Sequence, residues 1–236
     1  MKNSIKILCC IIISMASCKK NTIDKVSQPI ETGTVMDIDS NVYKTVKIGN
    51  QWWMAENLNV TRYNDSTPIL EIPIFSADSV WAQNALPAMC IVDTAYHRLY
   101  NWYSIASNKN IAPKGWHIPT DEEWKLLETT IGISSTDVEK FAWRGLIAGK
   151  LLPLNTIGWP MYSTVYGTND FGFSALPGGC RVFDGTTNSE SNACFWWTET
   201  ETENKAIYRY LDSQKKGIFR QSTLKTYGFS IRCIKD

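Results

Sequence analysis

The chain has 236 residues, with 24 Lys and Arg against 23 Asp and Glu and a formal net charge of +1. So even a balance offers no broad field to hold a polyanion, which excludes nucleic acid as an expected partner. The length suits one domain with a substantial core, and no later shift in composition asks for a second. Ten Trp and ten Tyr are many for this size; such rings either fill a core or offer flat apolar faces to a ligand.

Residues 1–18 read as a targeting segment. Lys2 and Lys6 give a positive start, Ile7 to Ile13 an apolar run, and Met15-Ala16-Ser17 small residues ahead of Cys18. The run is shorter than the ~20 apolar residues that span a bilayer, so it is a signal rather than an anchor. Met-Ala-Ser-Cys resembles a lipobox, with Met where Leu is usual. The resemblance implies lipid on Cys18 and attachment to the membrane through it. Residues 19–33 are polar and hold Pro29, as a spacer would. Lys19-Lys20-Asn21 is not the acidic export signal of many surface lipoproteins. An outer-membrane lipoprotein on the periplasmic face is therefore expected ahead of one on the cell surface.

The domain expected over 34–236 then opens with a hairpin. Val42, Val46 and Ile48 precede Gly49-Asn50, and Trp52, Trp53 and Met54 follow it; Gly-Asn suits a type II′ turn. Prolines at 68, 73 and 87 interrupt the stretch from Thr61 to Met89, predicting loops and short strands. Leu99, Trp102, Tyr103 and Ala106 recur at helical spacing. Thr120 and Glu123 form a capping box ahead of a face of Trp124, Leu127 and Ile131, with Gly132 placed to end the helix. Val138, Phe141, Ala142 and Leu146 suggest a further helix fading at Gly149. After Leu154, short apolar runs between Gly, Asn, Thr and Ser read as strands. At the end, alternation directs Phe229, Ile231 and Cys233 to one face and Ser230 and Arg232 to the other. Helices early and antiparallel strands late define an α+β domain.

Beyond Cys18, the cysteines are Cys90, Cys180, Cys194 and Cys233. In an oxidising compartment an even set suggests disulfides, and four cysteines allow three pairings. Cys180 and Cys194 bracket a short polar loop that a bond would close for about 3 kcal/mol, leaving Cys90 with Cys233. A zinc site has little support: there is no C-x-x-C, and His97 and His117 are the only histidines.

Five ordered blocks carry a family resemblance: Asp39 to Leu58, Leu99-Tyr100-Asn101-Trp102-Tyr103, Pro113 to Trp124, Gly172 to Gly179, and Gly228 to Cys233. Together they resemble the Fibrobacter succinogenes major paralogous domain family, abundant in exported proteins and lipoproteins. The Trp116 to Trp124 block and the closing Gly228-Phe229 with Arg232 also look like landmarks of the sulfatase-modifying-factor group. That likeness implies a C-type-lectin-like fold, with two helices beside twisted antiparallel sheets and long loops. The fold hosts enzymes, sugar binders and protein binders alike.

No catalytic constellation stands out, and an enzyme is the less favoured expectation. Gly172-Phe173-Ser174-Ala175-Leu176 lacks the last Gly of G-x-S-x-G, and Cys180 and Cys194 match the reactive cysteines of the sulfatase-modifying group only loosely. No cofactor is implied, although Asn169, Asp170 or Asp184 would be the residues to bind calcium. The nominated ligand-binding residues are Trp196 and Trp197, where one ring pointing outward would stack on a sugar, with Asp184 and Asn188 from the loop between Arg181 and Ala193. Burial of both rings is the competing reading. The expected function is a lipid-anchored binding or adhesion module for polysaccharide or surface glycan. Its rivals are a subunit docking envelope proteins and an enzyme related to the sulfatase-modifying group.

Overall fold

The computed structural model describes residues 29–74, 78–92, 98–188 and 192–236. Cys18, the signal segment and most of the spacer lie outside the described residues. In chain order the first elements are β1 (Thr32–Met36), β2 (Val42–Ile48), β3 (Gln51–Met54), β4 (Leu70–Glu71), α1 (Asp78–Ala82), β5 (Ala88–Ile91), β6 (Arg98–Asn101) and α2 (Trp102–Ile105). The middle holds β7 (Trp116–His117), α3 (Asp121–Thr130), β8 (Ala142–Arg144) and α4 (Ala148–Leu151). The last third is β9 (Cys180–Arg181), β10 (Thr187–Asn188), β11 (Ala193–Thr202), β12 (Lys205–Asp212), β13 (Ile218–Leu224), β14 (Gly228–Phe229) and β15 (Ile234–Lys235). β1 begins at Thr32, inside the stretch read as spacer.

Local chemistry explains the elements that form as expected. Gly49 sits at φ +61, the sign a II′ turn needs at its first corner, and Ile48 pairs with Gln51 across it. α3 starts at Thr120, whose side chain accepts from the Glu123 N–H while the Glu123 carboxylate accepts from the Thr120 N–H. It ends in a Schellman motif: the Gly132 N–H reaches the Thr129 carbonyl and the Ile133 N–H the Glu128 carbonyl. Gly132 at φ +119 supplies the backbone reversal.

Two expected helices change. Leu99 lies in β6, so the helix shrinks to the single turn of α2, capped where Asn101 accepts from the Ser104 N–H. The helix expected over Val138 to Gly149 is replaced by β8 and the four-residue α4. Phe141 and Leu146 are exposed, so their spacing marks no buried face, and Ala142 at φ +66 interrupts any helix there.

Three sheets result: β1-β2-β3-β15-β7, β10-β9-β14-β6-β5-β4 and β11-β12-β13-β8. Among the described strands, every pairing is antiparallel except β4 with β5, and isolated parallel bridges join β11 to Gly179 and Ser230. The whole is an α+β fold, mostly sheet with few helices. α3 packs on β11, and one core gathers Trp53, Trp124, Phe173 and Trp196. A second core gathers Met54, Tyr100, Trp197, Phe229, Ile231 and Cys233. β11 divides them, sending Trp196 to the first and Trp197 to the second. The closing alternation therefore holds, with Arg232 sent toward Phe173 and Trp196 of the first core.

Ion pairs fasten α3 to the four-stranded sheet. Asp121 takes Arg209 at 2.8 Å and Arg220 at 2.5 Å, and Glu128 takes Arg209 at 2.5 Å and also Arg144. Burial alone would raise the Asp121 pKa; Arg220 and Arg209 outweigh it and hold the carboxyl at about 2.

The four described cysteines form no disulfide. Cys194 belongs to the first core, Cys180 and Cys233 to the second, and Cys90 to a small third cluster with Trp81 and Leu99. Each expected pair is thus divided between two cores, which corrects both pairings. Burial pushes the Cys90 thiol up to about 11 and raises Cys194 and Cys233 strongly. Such thiols carry no nucleophilic thiolate at neutral pH.

Candidate functional site

One face of the four-stranded sheet, which meets the second core where Phe195 and Tyr208 pack on Phe229, carries a continuous row of half-buried aromatic rings. Residues two apart on a strand share a face, and register aligns one aromatic from each strand. Trp143 of β8 lies opposite Phe219 of β13, Phe219 opposite Tyr210 of β12, and Tyr210 opposite Phe195 of β11. Ring centroids are 5.2 Å apart for Trp143 and Phe219, 5.8 Å for Phe219 and Tyr210, and 4.4 Å for the stacked Tyr210 and Phe195. All four rings are half-buried. Tyr208 flanks the row, 6.2 Å from Phe219. Near it, Tyr227 meets the exposed Phe183 at 5.8 Å.

The opposite face of the same strands holds Arg209, Arg220 and Trp196, engaged with α3 and the first core. Fixing that face leaves the aromatic side preorganised. Tyr210 donates to Asp212 Oδ2 at 2.5 Å. Burial raises both tyrosine pKa values, that of Tyr208 to about 12. The row is therefore uncharged at physiological pH, with hydroxyl tips at its middle. A contiguous, partly exposed aromatic surface is a candidate contact site, and aromatic faces suit the flat apolar side of a sugar ring or a partner surface.

The nominated residues fall elsewhere. Trp196 and Trp197 are both 0% exposed, because β11 has a core on each side at that point. Their indole N–H groups donate inward, to Asn57 Oδ1 at 2.9 Å and to the Tyr100 carbonyl at 2.8 Å. Neither ring reaches a ligand, which corrects their assignment. Asp184 is exposed in the β9–β10 turn, where Oδ1 accepts from the Thr186 N–H at 3.0 Å and hydroxyl at 2.7 Å. Asn188 is exposed on β10 opposite Cys180. This hairpin also carries Phe183, next to Tyr227.

Asn169 spends its amide on Ser174, accepting from that N–H at 3.0 Å. Among the described residues no three His, Cys, Asp or Glu side chains gather as a metal site. His117 is held between Glu123 at 2.9 Å and Asp236 at 2.7 Å, a fold contact joining β7, α3 and the chain end. Sequence reasoning singled out Phe195-Trp196-Trp197 but chose the wrong rings. The missed signal is the alternation Tyr208-Arg209-Tyr210 followed by Phe219-Arg220, which places aromatics on one face and cations on the other.

A family model described as Fibrobacter succinogenes major domain matches residues 46–235. No curated protein and no solved structure matches the chain significantly.

Proposed function

This chain belongs to the Fibrobacter succinogenes major domain family, and from that membership and the aromatic row we propose an exported, lipid-anchored binding module for polysaccharide or surface glycan. The row of Trp143, Phe219, Tyr210 and Phe195 is the observation that carries the reading. In this proposal Cys18 bears the lipid, and the domain is held at the outer membrane, facing the periplasm. We read the α+β arrangement as C-type-lectin-like. Support comes from β15, which closes the N-terminal hairpin's sheet by pairing with β3, and from long loops such as 153–177.

That loop supports a second reading, a subunit that docks envelope proteins. It exposes Leu154, Ile157, Tyr162 and Tyr166 together with Met161, which is wholly exposed. An enzyme of the sulfatase-modifying type finds no comparable support, since Cys180 and Cys194 lie buried in separate cores.

The test is a pull-down on insoluble polysaccharides and a glycan array, with Trp143→Ala as the probing variant. Trp143 is half-buried on an edge strand, so the variant is expected to fold. Loss of one stacking ring should weaken binding roughly two- to tenfold. No saturable binding across the panel would sink the glycan reading and turn attention to the 153–177 loop and protein partners. Alanine at Trp196 or Trp197 cannot serve here, because emptying such a core site costs roughly 3–5 kcal/mol.

A further inference from the structure

On another side of the molecule, a groove of about 1000 Å³ has Arg232 in its wall, between the β1–β2 hairpin and the turn around Gly172 and Ser174. Arg232 is 1% exposed, and no carboxylate among the described residues forms an ion pair with it. Its partners are neutral. Nε and Nη2 donate to Asn57 Oδ1 at 3.2 and 3.0 Å, and Nη1 donates to the Phe173 carbonyl. The guanidinium lies 4.2 Å from the Phe173 ring centroid and 5.4 Å from that of Trp196, so its plane is clamped.

A guanidinium has five N–H donors. These bonds use three, leaving one donor on each terminal nitrogen without an acceptor. Asn57 adds to the surplus: its Oδ1 is committed to Arg232 and Trp196, which fixes the amide, and its Nδ2 has no acceptor among the described residues. Lys44 is exposed on the rim of the same groove. Glu56 is the one acidic side chain lining it, and its Oε2 accepts from the Lys44 backbone N–H at 2.7 Å.

A buried cation without a direct ion pair is costly. Desolvation pulls the Arg232 pKa down to about 9, although the charge of Glu56 acts the other way. Arg232 lines the groove while only 1% exposed, so an anion has to seat at its floor beside the partly exposed Asn57, where a guanidinium offers the paired donors that favour carboxylates. The exposed Thr32 and Thr34 also line the walls, where their hydroxyls suit sugar hydroxyls. We propose that this groove binds the carboxylate of a uronic acid in an acidic glycan, with Arg232 and Asn57 as the recognising pair. That a sugar carries the carboxylate rests on the glycan reading above; the need for a carboxylate does not.

The test is isothermal titration of the full chain in detergent with trigalacturonate, its methyl ester, a neutral cello-oligosaccharide and a peptide with a free C-terminal carboxylate. Asn57→Asp is the decisive variant. It keeps the oxygen that Arg232 and Trp196 use and places an internal carboxylate beside the guanidinium. We expect saturable trigalacturonate binding, little binding of the ester, and a loss of about tenfold or more in N57D. The melting temperature of N57D should equal or exceed that of the parent, which separates lost binding from lost fold. Equal binding of acid and ester, undiminished binding in N57D, or no uronate binding would overturn the proposal. Peptide binding without uronate binding would overturn the sugar assignment. Trp143→Ala is titrated in parallel: loss of the neutral glycan alone leaves the groove standing, and loss of the uronate alone in N57D leaves the aromatic row standing.

Discussion

His117 illustrates how one side chain can make the fold sensitive to pH. Its burial favours the neutral ring, but hydrogen bonds that the charged ring donates to the Asp236 and Glu123 carboxylates outweigh that and raise its pKa. A raised folded-state pKa adds stability that is complete below the ordinary value of about 6.5 and is lost as pH rises through the folded value. Thermal denaturation at a series of pH values should therefore show stability declining upward from about pH 6.5, and His117→Gln should flatten that slope. An unchanged slope in the variant would assign the pH dependence elsewhere. The same scale explains why Trp196 and Trp197 misled as binding residues. Alternation says that neighbours on a strand face opposite ways, but not whether one side is solvent. Where a strand runs between two cores, both neighbours are buried.

Elements were legible in proportion to how local their determinants are. α3 was readable end to end, because Thr120, Glu123 and Gly132 act through bonds within a few residues of one another. Thr120→Ala removes one side of the capping box and should cost about 1 kcal/mol by denaturant titration. A much smaller loss would mean that the ion pairs, rather than the cap, hold the first turn. The segment from Val138 to Gly149 has helical spacing but no capping box, and β13 recruits part of it as β8. The aromatic row was invisible for a related reason. It exists only through the registers of three strand pairs, and Trp143 joins Phe219 from a distant part of the chain. The buried ends of the closing block, Phe229, Ile231 and Cys233, were readable because alternation alone places them.

At the scale of the molecule, the junction between α3 and the four-stranded sheet is electrostatic as well as apolar. Glu128 is 0% exposed and neutralises Arg144 and Arg209 together. Glu128→Gln leaves Arg144 without a counter-charge in a dry setting and Arg209 with Asp121 alone, and should cost roughly 3–5 kcal/mol in urea unfolding. A loss below ~1 kcal/mol would show that Asp121 and water compensate. Such a junction also bears on the proposed glycan binding, since it fixes the face opposite the aromatic row. The composition, with its nearly equal cations and anions, reported the supply of charges but not that three arginines and two carboxylates would meet beneath one helix.

The position of β15 has a consequence for the order of events during synthesis. This strand is inserted between β3 and β7, so residues made near the beginning of the chain wait for Ile234 before their sheet is continuous. The same late segment delivers Arg232 to the groove and Cys233 to the second core. A nascent chain can form the β2–β3 hairpin early, yet the far edge of β3 stays unpaired until Ile234 is available. Closing this sheet is thereby a pairing between segments far apart in sequence, and such long-range pairings form more slowly than local ones.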